Sequence, residues 1–250
     1  MEQTREAFDE RLYNIWATFL DDPTLTSTRT GSSIMSTKRL KDTGWVDVIQ
    51  FGSTTVVQCD VAVQELVTKA VQDIVHAKDD TYAVTRDDIQ DILSDLKMKV
   101  DEDLWLFYLY PPDFKYFDDI PYKIRQLSEP DKSALDALRS ACTPADVDLG
   151  EVNVTDELAY GAFDGDKMVA CASMYNWRGF ADLGILVHPD YRQRGLGKAV
   201  VSSICRWMLD TEHVMIYRCI STNIGSARIA KSLGFTHYFH IEDFKVVDNA

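Results

Sequence analysis

The chain has 250 residues, 46% hydrophobic and 26% charged, which is globular composition with room for one large domain or two small ones. Its net charge of −14 and pI near 4.7 argue against nucleic acid as a general partner, since a binder of phosphate backbones shows a basic excess or a basic face. The N-terminus MEQTREAFDE lacks the apolar core of a signal peptide, the run LWLFYLY at 104–110 is too short to span a bilayer, and five scattered cysteines without a CxxC pair read as reduced thiols, so a cytoplasmic protein without a membrane partner is expected. The acidic surface serves solubility or concentrates cationic substrates such as amines.

Residues 6–20 place Phe8, Leu12, Ile15, Trp16 and Phe19 at helical spacing. The Thr- and Ser-rich stretch 24–37 reads as a loop. Residues 45–51 and 54–57 predict two strands joined at Gly52-Ser53. A helix over 61–77 puts Val63, Leu66, Val67, Ala70, Val71 and Ile74 on one face. Thr85 and Asp88 have capping-box spacing ahead of a short helix that ends near Met98. Residues 104–110 read as a buried strand stopped by Pro111-Pro112, and Trp45 and Trp105 as core. Three prolines and three aspartates in PPDFKYFDDIP, 111–121, place a boundary near residue 118, between an N-terminal α+β domain (1–118) and a second domain (119–250).

The second domain opens with a strand at 122–127. Ser128 and Asp131 then cap a helix that runs through Leu135 and Leu138 to about Ala141. Residues 158–163 and 168–174 predict a hairpin around Asp164-Gly165, a pair suited to a type I′ turn. A strand at 181–187 and a helix at 197–210 follow, the helix with Val200, Val201, Ile204, Cys205 and Met208 inward. The rest reads as a strand at 214–220, a short helix at 226–233 closed by Gly234, and strands at 235–240 and 244–247. The fold class is α+β (mixed α/β): a central mixed sheet flanked by helices.

Between the strand that ends at Val187 and the helix near Gly197 lies HPDYRQRGLGKAV, 188–200. Amides at a helix start lack intrahelical acceptors and carry the positive end of the dipole, so they suit a phosphate group. Gly195 and Gly197 remove side chains from such a loop, and Arg192, Arg194 and Lys198 add cations. A bare G-x-G also fits a tight strand-to-helix turn. A P-loop is excluded because no Gly-Lys-Ser/Thr is present, and a dinucleotide fingerprint would need a third glycine.

The longer stretch LGILVHPDYRQRGLGKAVV resembles motif A of the GCN5-related N-acetyltransferases, in which Q/R-x-x-G-x-G/A follows a strand ending in Val-x-Pro. NIGSARIAKSLGF, 223–235, resembles that family's motif B. The resemblance covers about 122–247. The two-part layout is similar to the group that includes zwittermicin A resistance-type acetyltransferases. The family's fold, a mostly antiparallel mixed sheet with helices, is therefore expected behind a smaller N-terminal domain. The resemblance implies acetyl-CoA as cosubstrate. Its diphosphate would rest on the amides of Gln193, Arg194, Gly195, Leu196, Gly197 and Lys198, and its arm would lie along Leu186 and Val187. Asn223 would hydrogen-bond the arm, and Ser226 and Arg228 would touch the cofactor.

In that family an amine attacks the thioester directly, a base takes its proton, and a tyrosine on the motif B helix commonly protonates the departing thiolate. Here Ala230 stands at the tyrosine's place, with Tyr238 and Ser226 as stand-ins. The family's glutamate corresponds to Ala181, next to Asp182. Asp182 is therefore a candidate base, reached only if a bulge turns it to the right face, with Glu151 and Glu157 as alternatives. Trp177 and Arg178, near a hairpin end, are candidate substrate contacts. His237 and His240 point to opposite faces of a strand, and no HExxH or Cys/His cluster occurs, so no metal is expected. Cys171 and Cys219 read as core.

The expected activity is acetyl transfer to a primary amine of a small cationic molecule. The alternatives are a protein or peptide N-acetyltransferase and a non-catalytic acyl-CoA-binding regulatory module. The N-terminal half would cover one side of the acceptor cleft or form a homodimer contact.

Overall fold

A computed structural model describes residues 4–28, 30–78 and 84–246. Val247, at the end of the last predicted strand, lies outside the described residues. The chain divides into two compact units. The N-terminal unit holds 9–106, 219–222 and 238–250, and the central unit holds 1–8, 107–218 and 223–237.

The N-terminal unit contains most of α1 (Arg5–Leu20), then β1 (Gly31–Ser36), β2 (Val46–Phe51), β3 (Thr54–Cys59), α2 (Val61–Lys78), α3 (Arg86–Asp95) and most of β4 (Met98–Tyr108). Its strands run in the order β1-β3-β2-β10-β4, where β10 is Thr236–Val246. β1 is parallel to β3, and β2 is antiparallel to both β3 and β10. Val46, Val48 and Val57 pack with Val67 and Val71 of α2 and with Ile89, Ile92 and Leu93 of α3. Trp16, Phe51 and Phe239 form an aromatic cluster, with ring centres 4.6 to 6.3 Å apart.

Several expectations change here. The predicted loop at 24–37 contains β1, because GSSIMS is held by its main chain along β3, from Gly31↔Thr54 to Ser36↔Cys59, rather than by an apolar face. Leu66 is 51% exposed, outside the buried stripe of α2. α3 stops at Asp95, and Met98 already opens β4, with left-handed Lys97 (φ 62°) turning the chain between them. The two predicted C-terminal strands are one continuous β10. Trp45 and Trp105 are only part-buried.

The central unit contains β5 (Lys123–Gln126), α4 (Lys132–Ser140), α5 (Pro144–Gly150), β6 (Leu158–Asp164), β7 (Lys167–Trp177), β8 (Phe180–Val187), α6 (Leu196–Met208), most of β9 (Met215–Ile220), α7 (Ile224–Ser232) and the start of β10. Its strand order is β4-β9-β8-β7-β6-β5. β5 to β8 form an antiparallel meander, and β9 runs parallel to β8. Leu135 and Leu138 of α4 pack on Phe163, Met168, Cys171 and Leu186. The five inward residues predicted for α6 are all buried.

Two local corrections matter for the site. The β6–β7 turn is Gly165-Asp166 with positive φ at Gly165 alone, which is the type II′ pattern rather than I′. The type I′ pattern occurs instead between β7 and β8, where Arg178 (φ 56°) and Gly179 (φ 90°) both lie left-handed. α5, absent from the sequence reading, starts at a Thr143/Asp146 capping box. Among the described residues no helix is long and apolar enough to cross a membrane.

Candidate active site

β8 is paired with β7 along its whole length, from Ala170↔Val187 to Trp177↔Phe180. On its other edge it pairs with β9 only at Ala181↔Met215 and Asp182↔Ile216. Past Asp182 the two strands part. The gap opens into a groove of about 510 Å³ walled by Leu183, Ile185 and Val187 on one side, by Tyr217 and Arg218 on another, and by the first turns of α6 and α7.

The loop after β8 is built to start a helix abruptly. His188 caps a 3-10 turn, its Nδ1 accepting from the Asp190 amide at 3.2 Å. Gln193 (φ 63°) and Gly195 (φ 78°) then take left-handed conformations, and α6 begins at Leu196. The Ala199 amide donates to the Gly195 carbonyl at 3.0 Å, which closes the first turn. The amides of Leu196, Gly197 and Lys198 precede that bond and are the orphan donors of the helix start. Gly197 also serves packing, since a Cβ there would lie 3.1 Å from Ile229 Cδ1 and 3.4 Å from Val187 Cγ2.

Of the twelve residues assigned to the cofactor from the sequence, all but Arg194 and Arg228 line this groove. Arg194 donates to the Asp190 carbonyl at 2.9 Å and to the Tyr122 hydroxyl at 3.1 Å, and Arg228 is exposed on α7. Arg192 pairs with Asp146 at 3.0 Å, and Lys198 Nζ lies 4.2 Å from the centre of the Phe117 ring. Asn223 Oδ1 caps α7 by accepting from the Ser226 amide at 3.0 Å. Cys142 Sγ contacts the Val187 carbonyl at 3.7 Å.

Where β8 and β9 part, four side chains share hydrogen bonds. Asp182 is almost wholly buried and accepts from Arg218 Nε at 2.5 Å, from the Tyr175 hydroxyl at 3.1 Å and from the Leu183 amide at 2.8 Å. Glu151 accepts from the Tyr175 hydroxyl at 2.6 Å and from Arg218 Nη2 at 3.1 Å. Burial pushes the Asp182 carboxyl above its ordinary range, although Arg218 opposes the shift. Burial and the neighbouring Asp182 push the Tyr175 phenol far up. Glu151 is the left-handed C-cap of α5 (φ 45°). α5 presses close to β8: a Cβ on Gly184 would collide with the carbonyls of Gly150 and Glu151, the latter at 2.7 Å.

Sequence reasoning missed Tyr175 and Arg218, which bind Asp182 and Glu151 together. The available signal was a lone arginine in the otherwise apolar strand MIYRCI. The guanidinium groups of Arg178 and Arg218 each lie over the Trp177 ring, 4.2 and 4.3 Å from its centre. Tyr217, the first β9 residue beyond the pairing, is buried, and its hydroxyl lies 2.9 Å from Ser226 Oγ. Ala230 is buried. Tyr238 belongs to the N-terminal unit, where its hydroxyl donates to Asp9 at 2.8 Å. Glu157 is exposed.

A second cavity of about 370 Å³ is lined by Arg139, Val147, Glu151, Val152, Asn153, Asp156 and Tyr175. Burial raises the Asp156 carboxyl, although it accepts from Ser173 Oγ at 2.5 Å and from the Asn153 amide at 3.1 Å.

In the N-terminal unit, Asp103, His240 and Glu242 bring ligand atoms within 4.8 Å of one another. Their oxygens are engaged: Arg86 Nε and Gln90 Nε2 donate to Glu242 at 2.7 and 2.5 Å, and Ser221 donates to Asp103 at 2.6 Å. Cys171 and Cys219 are buried, and desolvation pushes the Cys171 thiol up to about 12.

Residues 122–235 match the model of the acetyltransferase (GNAT) family. No curated protein matches the chain. Among solved structures, an acetyltransferase from the GNAT family of Colwellia psychrerythraea is 16% identical over 75% of this chain and 73% of its own, with a TM-score of 0.50. A functionally unknown conserved protein from Staphylococcus epidermidis is 13% identical over 79% and 86%, with a TM-score of 0.50. A GCN5-related N-acetyltransferase from Kribbella flavida is 14% identical over 61% of each chain, with a TM-score of 0.48. The chain therefore spans about three fifths of some matched structures, down to 58%. Likeness at this level of identity speaks to fold alone. With the family match over the residues that build the groove, it shows that 122–235 are an acetyltransferase domain of the GNAT family.

Proposed function

We propose that the domain at 122–235 binds acetyl-CoA in the groove and transfers the acetyl group to a primary amine of a small cationic molecule. The reading rests on one observation: Leu196, Gly197 and Lys198, the first residues of α6, line the groove together with Arg192, and amides at a helix start lack intrahelical acceptors. A diphosphate has the charge and the acceptor oxygens to satisfy them, and left-handed Gly195 (φ 78°) makes the turn that starts α6 there. Beyond Asp182 the β9-facing edge of β8 lies outside the ladder, so an amide-bearing arm can add along Leu186 and Val187 as a strand does. Acetyl-CoA supplies an activated thioester when bound.

The remaining work falls to the chain. Attack needs an uncharged amine, so a carboxylate must take its proton. Glu151, exposed at the C-cap of α5, suits that role better than Asp182, which is buried against Arg218. Tyr238 Oη, donated to Asp9, takes no part. A metal is not required for this chemistry. The net charge of −14 favours a cationic acceptor in a cytoplasmic setting.

Calorimetric titration with CoA tests the binding half. Saturable heat is expected, and Lys198→Ala should weaken it about tenfold, the worth of one charge-assisted contact. Thioester consumption with a panel of small amines tests the chemical half. Absence of CoA binding overturns the reading. Binding without turnover of any amine favours a non-catalytic acyl-CoA-binding module, a second reading that gains weight because Arg218 holds both carboxylates.

A further inference from the structure

A thiolate leaving a thioester is a better leaving group when a proton donor meets it. In this domain the helix α7 offers Ala230, without a donor, at the position where the family resemblance implies a tyrosine, and Tyr238 is engaged elsewhere. The groove itself contains another neutral O–H pair. Tyr217 sits at the point where β8 and β9 separate, and Ser226 sits one turn before Ala230 on α7. Both line the groove, and their oxygens are 2.9 Å apart.

We infer that Ser226 delivers the proton to the departing sulfur and that Tyr217, hydrogen-bonded behind it, positions the Ser226 hydroxyl. The inference rests on the acetyl-CoA reading above. Position along the groove supports it. From Leu183, where the strands part, to Val187, where the anion-cradling loop begins, β8 rises four residues, about 13 Å. A coenzyme with its diphosphate on the α6 amides and its arm along β8 brings its sulfur toward the Tyr217 end.

Either hydroxyl of the pair can donate to the other. Tyr217 is 1% exposed and its ring packs edge-on against Phe235, with centres 5.7 Å apart, so its hydroxyl is fixed. Ser226 is part-exposed on the groove wall. One hydrogen bond uses one of the two O–H hydrogens. When Tyr217 donates to Ser226, the Ser226 hydrogen is left for the groove.

The step balances simply. The amine nitrogen forms the amide bond, and its surplus proton leaves through Glu151 to solvent. The carbon–sulfur bond breaks with its electron pair on sulfur. Sulfur takes the Ser226 proton as Ser226 takes that of Tyr217, and water reprotonates the Tyr217 oxygen.

The test uses the full-length protein and free CoA, so no acceptor needs to be known. The thiol of bound CoA is titrated through its thiolate ultraviolet absorbance, with dethio-CoA as the blank. A donor aimed at sulfur stabilises the thiolate, so wild type should lower the bound thiol's pKa by about one unit, a tenfold gain in thiolate at a given pH. Ser226→Ala should abolish the shift, Ser226→Thr should keep it, and Tyr217→Phe should lose at least half of it. CoA affinity is measured by calorimetry for each variant, and each thiol titration is run with the coenzyme fully bound. No shift in wild type, or an equal shift in Ser226→Ala, overturns the inference while the acetyl-CoA reading stands. Loss of CoA binding in wild type overturns both.

Discussion

The two edges of β8 give opposite lessons. Toward β7 the ladder is complete, and the residues there pack into a closed core. Toward β9 it stops after two pairs, and everything proposed for ligand binding lies beyond that stop. The same strand is thus structural on one side and receptive on the other. The difference lies in where main-chain donors and acceptors are used up: pairing with β7 satisfies them, and the parting from β9 and the start of α6 leave them for a ligand.

The parting can be attacked where it begins. Arg218→Met leaves the buried Asp182 carboxylate without its counter-charge, at a cost of about 4 kcal/mol. Thermal unfolding should fall by roughly 10 °C, and adding Asp182→Asn should recover much of it. If the single variant melts like wild type, the ion pair is not what anchors the last β8–β9 pairs.

Gly184→Val is expected to follow, at about 2 kcal/mol, because its Cβ meets the carbonyls of Gly150 and Glu151, which cannot swing aside as a side chain would. A fall in thermal stability with CoA affinity unchanged would show α5 docking on β8 to be independent of the α6 loop.

On the closed edge, Asp156 accepts from Ser173 of β7. Burial raises its carboxyl in the folded state, with Glu151 adding to the shift and Arg139 opposing it. The folded protein therefore holds this proton more tightly than the unfolded chain does. Its contribution is fully present below the unfolded value and is lost as pH rises through the folded one. Asp156→Asn should gain stability relative to wild type between pH 4 and 7, and melting curves across that range check the sign. A variant that loses ground as pH rises would reverse the assignment.

The mildest change concerns the open edge. Arg192 is paired with Asp146 at 3.0 Å, and both line the groove. Asp146→Asn frees the guanidinium and should tighten CoA binding about twofold by calorimetry, since exposed pairs contribute about 0.5 kcal/mol.

The strand-to-helix loop was legible because its chemistry is contiguous: strand end, left-handed turn and helix start occupy Val187 to Lys198 in one run. The core of α6 was legible for the same reason, since its apolar spacing is local. The Asp182–Arg218–Glu151–Tyr175 cluster was not. Arg218 reaches partners 36 and 67 positions away, and only the fold brings them together. β1 escaped notice because an edge strand held by main-chain bonds needs no apolar alternation. α5 escaped notice because seven residues give too few turns for periodicity, although its Thr143/Asp146 box was readable.

Four of the five cysteines are buried, and Cys142 alone is part-exposed, with its sulfur against the Val187 carbonyl. The protein thus contains a native reporter for covalent labelling. A mild alkylating reagent should mark Cys142 first, and the rate of modification will follow how tightly that stretch of β8 is held, without a tag or an engineered probe.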